Sequence, residues 1–233
     1  MTFCKKYGII PSRVNITPSQ PRGFVVALSQ RGCAMHDYTV VLGVGAALLH
    51  GTAYVLYNIQ THFGKSEPNP ASWAIWTLLS ILNAWSFREV SADNLSTLQF
   101  FTGSVACMIT FFYTWYRGKL KRLKHSEWRI LALALSVIVV WRIFNSATGA
   151  NMLVVLTFII SFIPTLKGVL ADPFKESPRS WWLWTAAFAF TIGSILLRWR
   201  GEPLALVMPT VLLIAHGSIA VLSSQKRKDK FST

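Results

Sequence analysis

The second apolar stretch of the chain carries polar and aromatic side chains that could together bind a neutral solute. Trp73, Trp76, Ser80 and Asn83 follow one another at spacings of three, four and three residues, which places them on one stripe of a helix. An indole offers a flat apolar face, and an amide offers both a donor and an acceptor. We therefore predict that Trp76, Ser80 and Asn83 contribute to a binding site. For Asn83, a hydrogen bond to a neighbouring helix is an equally good interpretation.

The sixth apolar stretch repeats this pattern with Trp181, Trp184, Phe188 and Thr191. On the same reasoning, Trp184 and Thr191 are predicted to line the site. The alternative for the tryptophans near the helix starts is that they are interfacial anchors, because indole rings are enriched where membrane meets water.

Two histidines and two prolines lie inside other apolar stretches. His50 and His216 could each bind a solute or move a proton, or simply bond a carbonyl group one helix away. Each is followed by a glycine that would leave room for a close neighbour. Pro164 and Pro209 interrupt helical patterns, and we predict that they are the hinges.

The sequence offers no set of residues typical of catalysis or of metal binding. Cys4, Cys33 and Cys107 have no metal-ligand spacing, and no phosphate-binding loop or nucleophile elbow is present. All nine acidic residues lie outside the apolar stretches, which makes an intramembrane carboxylate relay improbable. We predict that the protein is not an enzyme and that it has no cofactor and no metal.

The composition indicates a membrane protein. Hydrophobic residues make up 52% of the chain and charged residues only 14%, against about 25% in an ordinary soluble domain. A helix needs about 20 mainly apolar residues to cross a bilayer. Seven stretches approach this length: 38–59, 71–87, 95–116, 128–144, 150–166, 181–197 and 203–223.

The net charge of +14 is a topology signal rather than a nucleic-acid footprint, because the bases lie between apolar stretches. Fourteen lysines and arginines lie near span ends on the side of the C-terminus and four on the other side. The positive-inside rule then places the C-terminus in the cytoplasm and the N-terminus outside. The 37 residues before the first span contain Pro11, Pro18 and Pro21, and we predict a disordered tail or sequence upstream of a true start at Met35.

Comparing the chain with itself reveals an internal repeat. Residues 70–77 and 178–185 are identical at five of eight positions, including both tryptophans of a Trp-x-x-Trp pair. The copies lie four spans apart, so both helices cross in the same direction. The fold class predicted is an all-α membrane protein of seven helices in a 3+1+3 arrangement. It has a tail (1–37), a first repeat (38–116), a connector (117–149), a second repeat (150–223) and a basic tail (224–233).

This plan resembles the PQ-loop superfamily, which includes the SWEET (MtN3/saliva) sugar transporters. The resemblance covers residues 38–223 and includes a helix–polar loop–helix pattern at 57–85 and 163–191. The Pro-Gln pair of the family is split here, because Gln60 has no preceding proline and Pro164 is followed by Thr165. The PnuC-type vitamin transporters share the architecture and are a near neighbour.

The resemblance and the candidate residues together predict a transporter for a small neutral polar solute, such as a sugar or a nucleoside-like vitamin. It would be a uniporter or weakly coupled, with two three-helix units that rock against each other. The alternative is a non-transporting scaffold, assembly factor or receptor-like adaptor. The predicted partners are the lipid bilayer and the solute, without nucleic acid and with a homo-oligomer left open. The predicted location is the plasma or inner membrane.

Overall fold

The computed structural model describes residues 22–91, 94–117, 147–199 and 201–229, with scattered helical positions between 125 and 143. These ranges contain six long helices and no strand. The helices are α1 (Arg22–His62), α2 (Pro70–Ser91), α3 (Asn94–Tyr116), α4 (Ala147–Ala171), α5 (Pro178–Leu197) and α6 (Leu204–Asp229), with a short 3₁₀ turn at Pro173–Lys175. The predicted all-helical class is thus confirmed for the described ranges.

Four of these helices are long and apolar enough to cross a membrane, judged by length and composition: Tyr38–His62 within α1, Asn151–Ala171, Pro178–Leu197 and Leu204–Ser224. Helices α2 and α3 are of similar length, but their serines, threonines, amides, tryptophans and tyrosines lower the mean hydropathy. Nine of the seventeen residues of the fourth predicted span, 128–144, lie outside the described residues. The seven-helix 3+1+3 arrangement therefore stays a prediction.

Helix α1 begins well before the first predicted span. It starts at Arg22, immediately after Pro21, and so reaches into the segment predicted as a disordered tail. The three prolines of that segment all precede Arg22, and none follows until Pro68, so nothing in between interrupts helical hydrogen bonding. Residues 1–21 lie outside the described residues.

Local sequence signals set the loop between α1 and α2. Gly64 has a φ of +68°, and the amide of Lys65 donates to the carbonyl of Gln60 at 2.7 Å, so α1 ends in a left-handed glycine turn. Asn69 caps α2, because its side-chain oxygen accepts from the amide of Ser72 at 3.1 Å. A proline opens both α2 and α5, where its missing N–H costs nothing.

The helices pack in two groups of three. In the first group α3 lies between α1 and α2, and in the second α6 lies between α4 and α5. The groups meet where α1 packs on α5 and where α2 packs on α4. The largest fully buried side chains gather at this junction: Trp73, Trp181, Trp184, Tyr57 and Phe188. Large apolar side chains such as Leu48, Val55, Ile109 and Ile214 remain exposed on the outside, as expected where lipid would cover a protein.

Candidate functional site

A cavity lies at the junction of the two groups and has about 530 Å³ of empty space, including the part open to the outside. Aromatic rings dominate its wall, with four tryptophans, one tyrosine and four phenylalanines. Polar groups are few, and come from two histidines, one serine and one asparagine. A mostly apolar wall with a few polar groups is typical of small-molecule sites.

Helix α2 presents its predicted stripe to this cavity. Trp73, Trp76, Ser80 and Asn83 all line it, so the structure brings together the four residues that the spacing had grouped. Trp76 donates from Nε1 to the hydroxyl of Ser161 on α4 at 2.8 Å, which fixes its ring across the junction. The Ser80 hydroxyl donates to the carbonyl of Thr77 in its own helix at 3.0 Å.

Asn83 is 2% exposed, and among the described residues its side-chain oxygen Oδ1 has no hydrogen-bond partner. An unpaired buried acceptor costs about 1–3 kcal/mol, so it is rarely left without a reason.

Helix α5 contributes Trp181, Trp184 and Phe188 to the opposite side of the cavity. Trp184 is 2% exposed, and its Nε1 donor has no partner within the described ranges. These tryptophans, like Trp73 and Trp76 on α2, are buried inside the protein. Their burial is the reverse of what the interfacial-anchor interpretation requires, since an anchor lies on the surface facing the lipid headgroups.

Thr191 does not line the cavity, although the repeat had placed it there. Its hydroxyl bonds Oε1 of Gln99 on α3 and the carbonyl of Ala187 in its own helix. The side chain therefore joins α5 to α3 beside the site. Phe188, one turn earlier, occupies the cavity wall instead.

His50 lines the cavity from α1 and is held by the same amide. Its Nδ1 lies 2.8 Å from Nε2 of Gln99, so that His50, Gln99 and Thr191 form a chain across three helices. The imidazole packs edge-on against Phe188 at 5.2 Å between ring centroids. The partner is thus a side-chain amide and not the carbonyl group that the simpler interpretation of His50 had predicted.

His216 lines the cavity from α6. Its Nδ1 lies 2.7 Å from the carbonyl oxygen of Leu212 in the same helix. A carbonyl oxygen can only accept, so Nδ1 carries the hydrogen and Nε2 is the acceptor. The ring lies among Phe162, Trp181 and Phe188, at centroid distances of 5.1 to 5.4 Å.

The glycines next to the histidines do not make the close approach that the sequence suggested. A Cβ added to Gly51 or Gly217 would meet a threonine methyl at 3.6 or 3.5 Å, an ordinary contact. The glycine that matters is Gly103 on α3, where a Cβ would lie 2.8 Å from Nε2 of His50. The glycine that follows each histidine in the sequence was the wrong one, because the close contact of His50 is with a glycine on another helix.

The predicted hinges lie inside continuous helices. Pro164 is within α4 and half-buried, and Pro209 is within α6 and buried. Neither lines the cavity, so both are placed to bend a helix rather than to touch a solute. Their hinge role stays a prediction.

Sequence reasoning missed two buried polar residues. Gln99 is fully buried in α3, and the rule that selected Asn83, a lone amide in an apolar stretch, would have selected it too. Glu176, in the loop between α4 and α5, is only 3% exposed although it lies outside every span. No local signal marks it, because its burial depends on the α1–α2 loop more than a hundred residues earlier.

No family model matches the chain, and no curated protein and no solved structure does. Among the described residues, no group of three or more histidines, cysteines or acids could hold a metal ion. What the site offers chemically is stacking surfaces and hydrogen bonds.

Proposed function

We propose that this protein is a membrane transporter for a small neutral polar solute, such as a sugar or a nucleoside-like molecule. The solute would bind in the cavity between two three-helix units, α1–α3 and α4–α6, and would cross as the units rock against each other. The observation that carries the proposal is a pair of buried, unpaired groups on opposite walls of one cavity. In the part of the chain that the structure describes, Asn83 Oδ1 is an acceptor without a donor, and Trp184 Nε1 is a donor without an acceptor.

These two groups define what a solute must supply. A hydroxyl can donate to Asn83 and accept from Trp184, and an amide or a heterocycle can do both from adjacent atoms. The surrounding indole rings suit the apolar face of a sugar or a nucleobase. Among the described residues, no aspartate, glutamate, lysine or arginine lines the cavity, which favours a neutral solute.

The packing of the helices supports two related units. If α1, α2 and α3 correspond to α4, α5 and α6, then the contact of α1 with α5 corresponds to the contact of α4 with α2, and both contacts exist. In the first unit α3 lies between α1 and α2, and in the second unit the corresponding helix α6 lies between α4 and α5. A transporter built from parallel repeats has its binding site at such an interface.

Equivalent side chains also make equivalent contacts. Ser72 opens α2 and reaches Thr165 near the end of α4 at 3.1 Å, while Ser180 opens α5 and donates to Gln60 near the end of α1 at 2.9 Å. In each case the first turn of one unit's helix holds the last turns of the other unit's helix. These bonds support the repeat seen in the sequence.

The alternative, a non-transporting scaffold or adaptor, predicts an interface closed by apolar packing. The structure instead has an open space at this interface, and Ser80, Asn83 and two histidines contribute polar groups to its wall. The two functions differ in whether a solute binds in the cavity.

Replacing Asn83 by leucine tests the proposal. First, purified protein is screened by thermal shift against a panel of hexoses, nucleosides and amino acids, because a solute that binds the folded state raises the melting temperature as its concentration exceeds its Kd. We expect a compound that stabilises the wild type and no longer stabilises Asn83→Leu, while the melting temperature without solute changes little. Uptake into reconstituted vesicles should be lost in parallel.

The matched control is Asn58→Leu. Asn58 is a partly buried asparagine on α1 that bonds Thr110 and does not line the cavity. We expect it to lower the melting temperature while keeping the response to the solute. A wild type that no compound stabilises, or an Asn83→Leu variant that binds and transports normally, would refute the assignment.

A further inference from the structure

The carboxyl group of Glu176 is buried among neutral donors from three parts of the chain. Its Oε1 accepts from the hydroxyl of Tyr57 on α1 at 3.0 Å, and its Oε2 accepts from Nε1 of Trp181 on α5 at 3.1 Å. The hydroxyl of Ser66, in the α1–α2 loop, also bonds the carboxyl. In the part of the chain that the structure describes, no cation forms an ion pair with it.

Glu176 lies in a junction of two loops, which we call the loop clasp and define as Ser66, Glu67, Lys175, Glu176 and Ser177. Two further bonds hold it: the amide of Glu67 donates to the carbonyl of Lys175 at 2.7 Å, and the amide of Ser177 donates to Ser66 Oγ at 3.1 Å. The offset that relates Trp73 to Trp181 also relates Glu67 to Lys175, so corresponding loops of the two repeats meet here.

The loop clasp is joined to the cavity wall through hydrogen-bond partners of Glu176. Trp181, which donates to Glu176, lines the cavity directly. Tyr57, another donor to Glu176, accepts from Nε1 of the cavity residue Trp73 at 3.4 Å. Parting the two loops would therefore expose the carboxyl group to water and break its bonds to groups at and beside the cavity wall.

The surroundings of Glu176 favour its protonated form while the loops are closed. Burial raises the pKa of its carboxyl group from 4.5 to about 8, the bonds from Trp181, Tyr57 and Ser66 oppose this rise, and the negative charge of Glu67 adds to it. His216 is the titratable residue in positions 204–224 of α6, where the structure describes the side chains, and its ring lies against Trp181. The other charged residues nearby in sequence are exposed: Lys65, Lys167, Asp172, Lys175 and Arg179.

We propose that Glu176 is a proton-binding site, which holds its proton while the loop clasp is closed and releases it to water when the clasp opens. A solvent-exposed carboxyl ionises near its ordinary value, so opening at neutral pH releases one proton and closing takes one up. The closed state is fully favoured at acidic pH. It loses this advantage progressively as the pH rises from about 4.5 to about 8. If the proposed transport function holds, the proton is the coupling ion.

Infrared difference spectroscopy of the purified full-length protein, recorded without any solute, tests the binding site. In the wild type, the band of a protonated carboxylic acid should persist at neutral pH and disappear with a midpoint near pH 8. Ordinary carboxyl groups are already ionised throughout this range. Glu176→Gln should abolish the transition.

Two further variants give shifts of opposite sign. Glu67→Gln removes a negative charge beside the carboxyl group, so the midpoint should move to lower pH. Tyr57→Phe removes a donor to the ionised form, so the midpoint should move to higher pH. These two shifts test whether the transition belongs to Glu176 even if Glu176→Gln fails to fold. A wild type without the transition, a transition that persists in Glu176→Gln, or shifts of the wrong sign would overturn the proposal.

The coupling part rests on the proposed transport function and is tested separately. In reconstituted vesicles, a pH gradient should drive solute uptake by the wild type and not by Glu176→Gln, which should still equilibrate the solute. If the infrared transition is present and no solute is transported, the proton site stands and the transport function fails. If solute moves and the gradient does not drive it, the coupling fails.

Discussion

Two of the four indole donors in the cavity wall differ in one respect, and this difference makes a sharp test. Trp184 Nε1 has no partner among the described residues, whereas Trp76 Nε1 donates to Ser161 at 2.8 Å. Trp184→Phe keeps most of the ring and removes an unsatisfied donor, so the melting temperature without solute should be unchanged or higher. Solute affinity should fall about 2- to 10-fold, which corresponds to one neutral hydrogen bond.

Trp76→Phe is the matched control, and it should behave in the opposite way. It leaves the hydroxyl of Ser161 without its donor, so the melting temperature should fall. Calorimetric titration with the solute found by screening, combined with thermal unfolding, separates the two effects. Equal losses of stability in both variants would mean that the Trp184 donor has a structural role.

At the level of single residues, periodicity predicted what lies along one helix and missed what lies between helices. The stripe from Trp73 to Asn83 faces one cavity, because residues on one helical face must share a neighbour. The equivalent position Thr191 faces a different neighbour, Gln99, and no pattern within α5 could reveal this. Glu176 is the extreme case, since every group that buries it is remote in sequence or follows it by a turn.

At the level of elements, α1 and α3 approach each other closely where Gly103 faces the ring of His50. A methyl group there would lie 2.8 Å from Nε2, so His50 would have to move and disturb its bond to Gln99. Gly103→Ala should therefore weaken solute binding and lower stability by about 1–3 kcal/mol relative to an unstrained alanine.

Gly51→Ala provides the unstrained alanine, because its methyl group would meet Thr102 at an ordinary 3.6 Å. It should stabilise the helix by up to about 1 kcal/mol, since glycine is a poor helix former. The melting temperatures and solute affinities of Gly103→Ala and Gly51→Ala test this predicted difference. Two variants with the same affinity as the wild type would show that His50 does not contribute to binding.

The helices themselves were largely predictable, because apolar stretches bounded by proline, glycine and charged residues define where helices begin and end. Five of the described helices match their predicted spans within a few residues at most ends. The exceptions are the extension of α1 back to Arg22 and that of α6 to Asp229, where the sequence is too polar for a span but has nothing to stop a helix. Hydropathy locates the part of a helix that is apolar enough to span a membrane, and the helix itself can extend beyond that part.

At the level of the whole molecule, the only sequence feature that predicted the packing of α1–α3 against α4–α6 was the internal repeat. Five matching residues in α2 and α5 suggested two copies, and the order of helices within each group agrees with that interpretation. The loop clasp lies at only one end of the two units, where the α1–α2 loop bonds the α4–α5 loop. Which side of the membrane it faces decides where Glu176 exchanges its proton.

The excess of bases near span ends predicts that the clasp faces the cytoplasm. Lys65 lies in the exposed α1–α2 loop at the clasp end of α2, and Arg88 is exposed in the last turn of the same helix. In a background with Cys4 and Cys33 replaced by serine, we introduce Lys65→Cys or Arg88→Cys and treat intact cells with a membrane-impermeant maleimide. Arg88→Cys should be labelled at once and Lys65→Cys only after permeabilisation, while buried Cys107 stays unlabelled. The reverse pattern would place the clasp outside, and the proton of Glu176 would then exchange with the external medium.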